Sequence, residues 1–466
     1  MTEKDFYPFK TTSKIDWKSQ IEKDLKGKDF NQTLVKTIWN EILQQPFYSS
    51  EDLKEKPIQN RFSPPVEIPG LSPRTWSTIV SISPYNGKIE NKEILAALEN
   101  GADAIVLELD RDPNWNEVLK DVLLPYIHIY IKPLQNAGVI FLSFSKFIQQ
   151  MGLNQSDLHG GFIWSPTGDL LESNGDFAKK ISLTQQVIID WKESPSFFPI
   201  CIEFSKYRNS GGTGIQELTF GFGEIIEIVS SLTELGIDAK TCFDNIMIHS
   251  SVAEEFFPEI AKLKSLRNLF SSLAKQFDVE TLPENLHLIS STATWSHSFL
   301  DKNSNLIRQT YEAMAGVLGG SNSIWVIPTE GENEDTLEKR IAKNISLILK
   351  EESYLDKVMD PSSGSYYLET LEAEICAKVQ SNITSLESKG GWLKSFQTRE
   401  LQKSIRETRI LIQNQILNKA LVKVGANKYP PSKKLENNLE IQDFQEKEFQ
   451  LRPTRASFLL EKSLAQ

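Results

Sequence analysis

The chain has 466 residues, 39% hydrophobic and 24% charged, with a net charge of −11. This is ordinary globular material, long enough for one large α/β domain with extensions. The acidic balance, with no Lys/Arg stripe carrying interleaved aromatics, excludes a general nucleic-acid binder. Cys201, Cys242 and Cys376 are widely separated. Their spacing supports neither a disulfide framework nor a zinc knuckle and fits a reducing, cytoplasmic compartment. The opening MTEKDFYPFK lacks an apolar signal core and carries two acidic residues, unlike a mitochondrial presequence, and no run reaches transmembrane length.

Residues 1–60 read as an N-terminal arm. Trp17, Ile21 and Leu25 suggest a short helix, and Trp39, Ile42, Leu43, Phe47 and Tyr48 form an aromatic-rich stretch. So much exposed aromatic surface needs a cover, either the chain's own body or another chain. Proline punctuates residues 57–73, as in a linker. From residue 74 buried strands alternate with amphipathic helices. The strands are expected at 77–83, 102–109, 126–132, 161–165, 198–204, 245–250, 286–292 and 323–328. Eight such units close most simply into a (β/α)8 TIM barrel, assigned to 61–425 together with the helices after residue 335. An open doubly wound sheet is disfavoured because no switch-point glycine fingerprint is present. The polar, proline-broken stretch 426–466 reads as a C-terminal tail.

Within the barrel, LIRQTYEAMAGVLGGSNSIWVIPTE (306–330) shows the local physics. Ile307, Tyr311, Met314, Ala315 and Leu318 line one helix face, with Asn303 or Ser304 as the expected cap. Gly319 and Gly320 stop the helix, and Ile324–Ile327 form a strand apolar on both faces. The paired glycines do not make a phosphate loop, because the strand-Gly-x-Gly-x-x-Gly-helix order is missing. His128, His249 and His287 sit on or beside strands, where a hydrogen-bonded structural role is expected. The acidic clusters at 107–112 and 331–339 read as solvated faces or caps.

RQTYEAMAGVLGGSNSIWV resembles the Arg-Thr-Thr-Glu-Ala-Met-Ala-x-Val-x-Gly-Gly segment of methylmalonyl-CoA mutases. WNEILQQPFYSSEDL, QELTFGFGEIIE, FFPEIAKLKSLRNLF, EESYLDKVMDPSSGSYYLETLEAEICAK and ESKGGWLKSF resemble further segments of that family in the same order. The matches run from about Trp17 to Tyr429. This resemblance implies a barrel whose long axis is threaded by coenzyme A. It also implies a separate C-terminal, flavodoxin-like domain that binds adenosylcobalamin in the catalytic chain. The ligand motif of that domain, Asp-x-His-x-x-Gly, occurs nowhere in this sequence, and no cobalamin-binding domain is expected here.

The catalytic positions differ as well. Where the family has Thr-Ile-Arg-Gln-Tyr, the chain has Thr78, Ile79, Val80, Ser81 and Ile82. Where the family has Tyr-His, it has Tyr207 and Arg208, followed by Ser210, Gly211 and Gly212. The family's His-Cys-Gln is matched by Ile289, Ser290 and Ser291. Arg208 is expected to pair with a carboxylate and plug the barrel mouth. YRNSGGTGIQEL resembles the shorter form in the small subunits of bacterial heterodimeric mutases, although those commonly keep a degenerate C-terminal domain. The resemblance therefore implies a non-catalytic small subunit that stabilises a cobalamin-bearing large subunit in a heterodimer. The holoenzyme would interconvert succinyl-CoA and (R)-methylmalonyl-CoA. No catalytic, cofactor-binding or metal residue is assigned to this chain, and adenosylcobalamin is expected in the partner. The arm is the expected element for reaching that partner. Two alternatives stand: a catalytic acyl-CoA mutase barrel served by a separate cobalamin-binding chain, or a freestanding acyl-CoA-binding module.

Overall fold

The computed structural model describes residues 12–53, 72–83, 91–329, 336–431 and 444–465. The proline-punctuated linker up to residue 71, and residues 331–335 of the second acidic cluster, lie outside these. Eight strands form the barrel: β1 (Ser77–Ile82), β2 (Ala104–Leu109), β3 (His128–Pro133), β4 (His159–Phe162), β5, β6 (Ile246–Val252), β7 (Leu288–Thr292) and β8 (Ser323–Trp325). β5 comes in two pieces, Phe197–Phe198 and Ile200–Glu203, divided at Pro199, whose nitrogen carries no hydrogen to donate. Every neighbouring pair is parallel, from β1 through β4, and β1 pairs with β8 on its other side. The first piece of β5 pairs with β4 and the second with β6, so the sheet closes through β5. All eight expected strands are present, displaced at their ends by a few residues.

Alternation along each strand divides the side chains between two environments. Ile105, Leu107, Ile129, Ile131, Ile200, Ile202 and Ile248 face outward and join the clusters beneath the surrounding helices. Each fully buried aliphatic side chain of this kind contributes about 1.5–3 kcal/mol. The helices press closely on the sheet. On the Gly214–Glu234 helix, a Cβ at Gly221 would lie 2.3 Å from the ring of Phe204. Gly160 of β4, at φ +120°, runs so near β3 that a Cβ would meet the Ile129 carbonyl oxygen at 2.0 Å.

The helix in the 306–330 segment spans Lys302–Leu318. Its cap is Asp301 rather than Asn303 or Ser304: the Asp301 carboxylate accepts from the Ser304 amide at 3.3 Å and from the Ser304 hydroxyl at 2.5 Å. A carboxylate satisfies the orphan amide and also faces the positive helix end, which an amide or hydroxyl does less well. Gly320, at φ +87°, supplies the left-handed stop.

The described part of the arm, residues 12–53, lies on the chain's own body, the first of the two covers expected for its aromatic surface. Residues Lys36–Ile38 and Ile42–Gln44 form an antiparallel hairpin, and Ile38, Trp39 and Ile42 enter the main core. Trp39 keeps φ +52°, uncommon for a bulky residue, because its indole fills the slot left by Gly214, where a Cβ would sit 2.6 Å away. Tyr48 packs on Tyr367 at 5.0 Å between ring centres, and Gln44 donates to the Tyr367 hydroxyl at 2.8 Å. Trp17 stacks on Phe47 at 4.9 Å. Replacing Trp39 with Ala should lower the free energy of chemical unfolding by about 3 kcal/mol or more, as for other buried Trp truncations. An unchanged denaturation midpoint would show that the arm is peripheral.

Candidate functional site

Barrel enzymes place their chemistry at the C-terminal ends of the strands, with substrate reaching the mouth or the axis. Here the axis is filled. Ile79, Val106, Tyr130, Met247, Ile289 and Trp325 belong to one buried cluster inside the barrel, with Ala104, Ile163 and Cys201 between them. Tyr130 and Met247 are fully buried and Trp325 is 4% exposed. The Tyr130 hydroxyl spans the interior, 2.9 Å from the Ser323 hydroxyl and 2.8 Å from His287 Nε2.

Above this plug, ion pairs occupy the mouth. Lys132 of β3 donates to Glu108 of β2 at 2.9 Å, Ser83 donates to the other Glu108 oxygen at 2.7 Å, and Lys132 lies 5.5 Å over the Trp325 ring. Lys206 reaches Glu172 at 2.6 Å, Glu203 at 3.2 Å and the Gly168 carbonyl at 3.0 Å. Burial opposes the Lys206 charge, but Glu203 and Glu172 outweigh it and raise its pKa. Glu108 follows the same logic with the opposite sign: burial favours its neutral form, and Lys132 pulls the pKa down. Between these groups a cavity of about 60 Å³ remains, lined by Lys132, Trp164, Glu172, Glu203 and Lys206 among others. That is room for a few waters, whereas small-molecule sites need roughly 300–1,000 Å³. A larger groove of about 670 Å³ lies outside the barrel, lined by Leu142, Lys146, Gln149 and Asp190, away from the mouth.

His249 of β6 lies beneath the ion pairs. Its Nε2 is 2.9 Å from Ser291 Oγ, its Nδ1 is 3.2 Å from Ser205 Oγ, and its ring stacks on Trp325 at 5.5 Å. Burial, then the nearby Lys132 and Lys206, push its pKa down to about 3. His128, His159 and His287 gather at the opposite end of the bore, with ring centres 5.6 Å and 6.1 Å from His128. Burial and the neighbouring His159 hold His128 near 4. His297 is buried, which lowers its pKa to about 3. No group of three or more His, Cys, Asp or Glu side chains among the described residues is arranged to hold a metal.

The positions that differ from the family motifs fall into place with one correction. Val80 and Ile82 pack into the outer cluster beneath the helices. The residues of β1 that face the bore are therefore Ser77, Ile79 and Ser81, one register away from the sequence pairing. Neither Ile79 nor Ser81 supplies a cation or a phenol. Ile289 is part of the plug and Ser291 is the His249 partner. Tyr207 turns into the helix layer, accepting from Trp392 Nε1 at 2.7 Å and donating to Glu224. Burial raises the pKa of Glu224 to about 7.

Arg208 is 1% exposed and pairs with Glu255 and with Glu259, the latter at 3.3 Å, which is the carboxylate pairing expected of it. It anchors a network that sequence reasoning missed. Lys262, fully buried, bridges Glu217 at 2.6 Å and Glu259 at 2.5 Å and donates to the Ser251 carbonyl at 2.6 Å. Glu217 in turn accepts from Ser250 Oγ at 2.7 Å and the Ser251 amide at 3.1 Å.

The segment read as a tail covers this face over its described residues 444–465. Thr454 donates its amide to the Asn209 carbonyl and Ala456 to that of Trp295, both at 2.9 Å. Glu461, fully buried, accepts from the Phe299 amide at 3.0 Å, from Ser457 at 2.7 Å and from Arg455 at 2.7 Å. Glu446 holds Arg409 at 2.7 Å and Arg406 at 2.8 Å.

The depressed pKa of His249 gives a signed expectation. Unfolded, the imidazole protonates near 6.5; folded, it stays neutral until about pH 3. Its contribution to stability is therefore complete above pH 6.5 and is lost as pH falls from 6.5 towards 3. A His249→Gln variant lacks this loss. Its deficit in unfolding free energy relative to wild type should shrink by about 1.4 kcal/mol per pH unit between 6 and 4. A deficit that is independent of pH would mean that His249 is not held neutral.

A family profile described as methylmalonyl-CoA mutase matches residues 116–457. The methylmalonyl-CoA mutase small subunit of Porphyromonas gingivalis is 27% identical over 447 residues, covering 92% of this chain and 71% of that protein. The small subunit from Propionibacterium freudenreichii subsp. shermanii is 25% identical over 385 residues, covering 77% of this chain and 58% of that protein. The methylmalonyl-CoA mutase of Cereibacter sphaeroides is 31% identical over 335 residues, covering 70% of this chain. The matched stretch is only 45% of that relative's length, so the chain spans from under half to under three quarters of these proteins. With the profile covering most of the barrel and the C-terminal helices, the chain belongs to the methylmalonyl-CoA mutase family.

Proposed function

We propose that this chain is the non-catalytic small subunit of a methylmalonyl-CoA mutase, stabilising a large subunit that interconverts succinyl-CoA and (R)-methylmalonyl-CoA. The observation that carries the reading is the filled bore. Ile79, Tyr130, Met247, Ile289 and Trp325 take up the axis along which the family resemblance places coenzyme A. The ion pairs of Lys132 and Lys206 with Glu108, Glu203 and Glu172 take up the mouth. Two of the relatives described above carry the small-subunit name, and a large subunit from Streptomyces virginiae is 25% identical over 320 residues.

On this reading adenosylcobalamin belongs to the partner, and the assembly works in the cytoplasm. No helix among the described residues is long and apolar enough to cross a membrane. A partner that binds only the folded large subunit raises that subunit's stability by mass action, without contributing a reacting group. Co-expression with the large subunit of the same genome, followed by size-exclusion chromatography and a mutase assay, tests the proposal. A one-to-one complex is expected, with activity abolished by active-site substitutions in the large subunit and retained after Ser81→Ala in this chain. Separate elution of the two chains, or turnover by this chain with an isolated cobalamin domain, would overturn it.

A further inference from the structure

Glu312, on the Lys302–Leu318 helix, is fully buried, and among the described residues no group donates a hydrogen bond to either of its carboxyl oxygens. The Ser296 hydroxyl lies beside it. That hydroxyl has already given its proton to the Ala293 carbonyl, at 2.8 Å. Ser296 therefore meets Glu312 as an acceptor, and the proton between the two oxygens belongs to Glu312.

The charges around this acid are already engaged. At the β6 end and on the helix after it, Glu254 is taken by Lys423 at 3.3 Å and Glu255 by Arg208. Lys262 bridges Glu259 at 2.5 Å and Glu217 at 2.6 Å. Arg308, one turn earlier on the Glu312 helix, donates to Asn305 at 2.8 Å and to the Val424 carbonyl at 2.5 Å. Arg455 of the C-terminal segment is paired with Glu461 at 2.7 Å. The remaining titratable neighbours, Tyr311 and His297, are kept neutral by burial. An ionised Glu312 would add a negative charge beside Glu254 and Glu259 with no cation left to answer it. Burial, reinforced by those two carboxylates, accordingly pushes its pKa well above the usual carboxylate value.

Ser296 sits in the middle of the 293–299 turn, and the same turn carries the segment 444–465. The carbonyls on either side of Ser296 accept from that segment: Trp295 from the Ala456 amide at 2.9 Å and His297 from the Ser457 hydroxyl at 3.3 Å. The Phe299 amide and the Ser298 hydroxyl donate to Glu461 at 3.0 Å and 3.3 Å.

We propose that the proton on Glu312 is a clasp: it fastens the 293–299 turn to the Lys302–Leu318 helix, and its loss to solvent base frees the turn together with the 444–465 segment. The device belongs to this chain's own fold and does not depend on the small-subunit reading. An unfolded glutamate ionises near pH 4.3, so below that pH both states hold the proton and the stabilisation is complete. Above it the folded state alone keeps the proton, and stability is lost as pH rises towards the folded pKa.

Denaturant unfolding and amide hydrogen exchange of wild type and Glu312→Gln, at pH 5, 6, 7 and 8, form the test. The Gln amide donates to Ser296 as the acid does but cannot ionise. The unfolding constant of wild type relative to the variant should rise with pH, by up to about tenfold per unit. In wild type the Ala456 and Phe299 amides should lose protection with rising pH ahead of the barrel amide of Ile163, which donates to Ile131 at 2.9 Å; in Glu312→Gln they should not. A relative unfolding constant that is flat with pH overturns the proposal, as does equal protection of the turn and the segment in both proteins. Should Glu312→Gln fail to fold, the wild-type exchange decides alone. Joint opening of 293–299 and 444–465 ahead of the barrel supports the clasp, and opening together with the barrel, or none, overturns it.

Discussion

An eight-stranded barrel encloses a space that must be occupied, because a void lined by strands forfeits the dispersion contacts of every residue around it. A ligand threaded along the axis is one solution and side chains are the other. In this chain Tyr130, Met247 and Trp325 reach in from β3, β6 and β8 and meet Ile79, Val106 and Ile289. The layers above and below are polar but satisfied. Lys132 and Glu108 neutralise each other, His249 is bridged by two hydroxyls, and Tyr130 ties the apolar layer to His287 and Ser323. A buried charge without such partners would cost several kcal/mol, so the mouth is populated by pairs.

The same logic extends over the C-terminal face. Arg208, Glu259, Lys262 and Glu217 link the turn after β5, the end of β6 and the two helices that follow them into one buried chain of charges. Removing any one member would leave an uncompensated charge, so the group holds the loops in a single arrangement. The segment 444–465 then lies over the neighbouring loops, its amides paired to Asn209 and Trp295 and its Glu461 to the Ser298–Phe299 turn. The face that serves for chemistry in other barrels is here built as a packed, hydrogen-bonded surface.

Much of this was legible in the sequence, for identifiable reasons. Strands buried on both faces leave near-continuous apolar runs such as IVLEL and IMI, and amphipathic helices leave their own period, so the barrel could be read from residues 74–330. The pairing of Arg208 with carboxylates followed from its chemistry. What could not be read was which strand residue faces inward: Val80 and Ile79 differ by one position, and a one-residue slip exchanges the two faces. Lys262 and Glu217 were missed because a charged residue inside an amphipathic helix normally marks the solvent side. Only the third dimension brings 217, 259 and 262 together. The placement of residues 444–465 was hidden for a related reason, since Glu446 and Glu461 look like solubilising charges until Arg406, Arg409 and Arg455 are set beside them.

The claim on which the account turns is that side chains, and not coenzyme A, occupy the axis. Isothermal titration of succinyl-CoA and methylmalonyl-CoA into the isolated, folded chain addresses it without reference to any partner. The account expects no saturable heat at millimolar ligand, because the bore and the cavity of about 60 Å³ at its mouth leave no room for a pantetheine arm. Saturable one-to-one binding in the micromolar range, lost on enlarging Ile79 to Phe, would contradict it and return the chain to the acyl-CoA-binding members of the family.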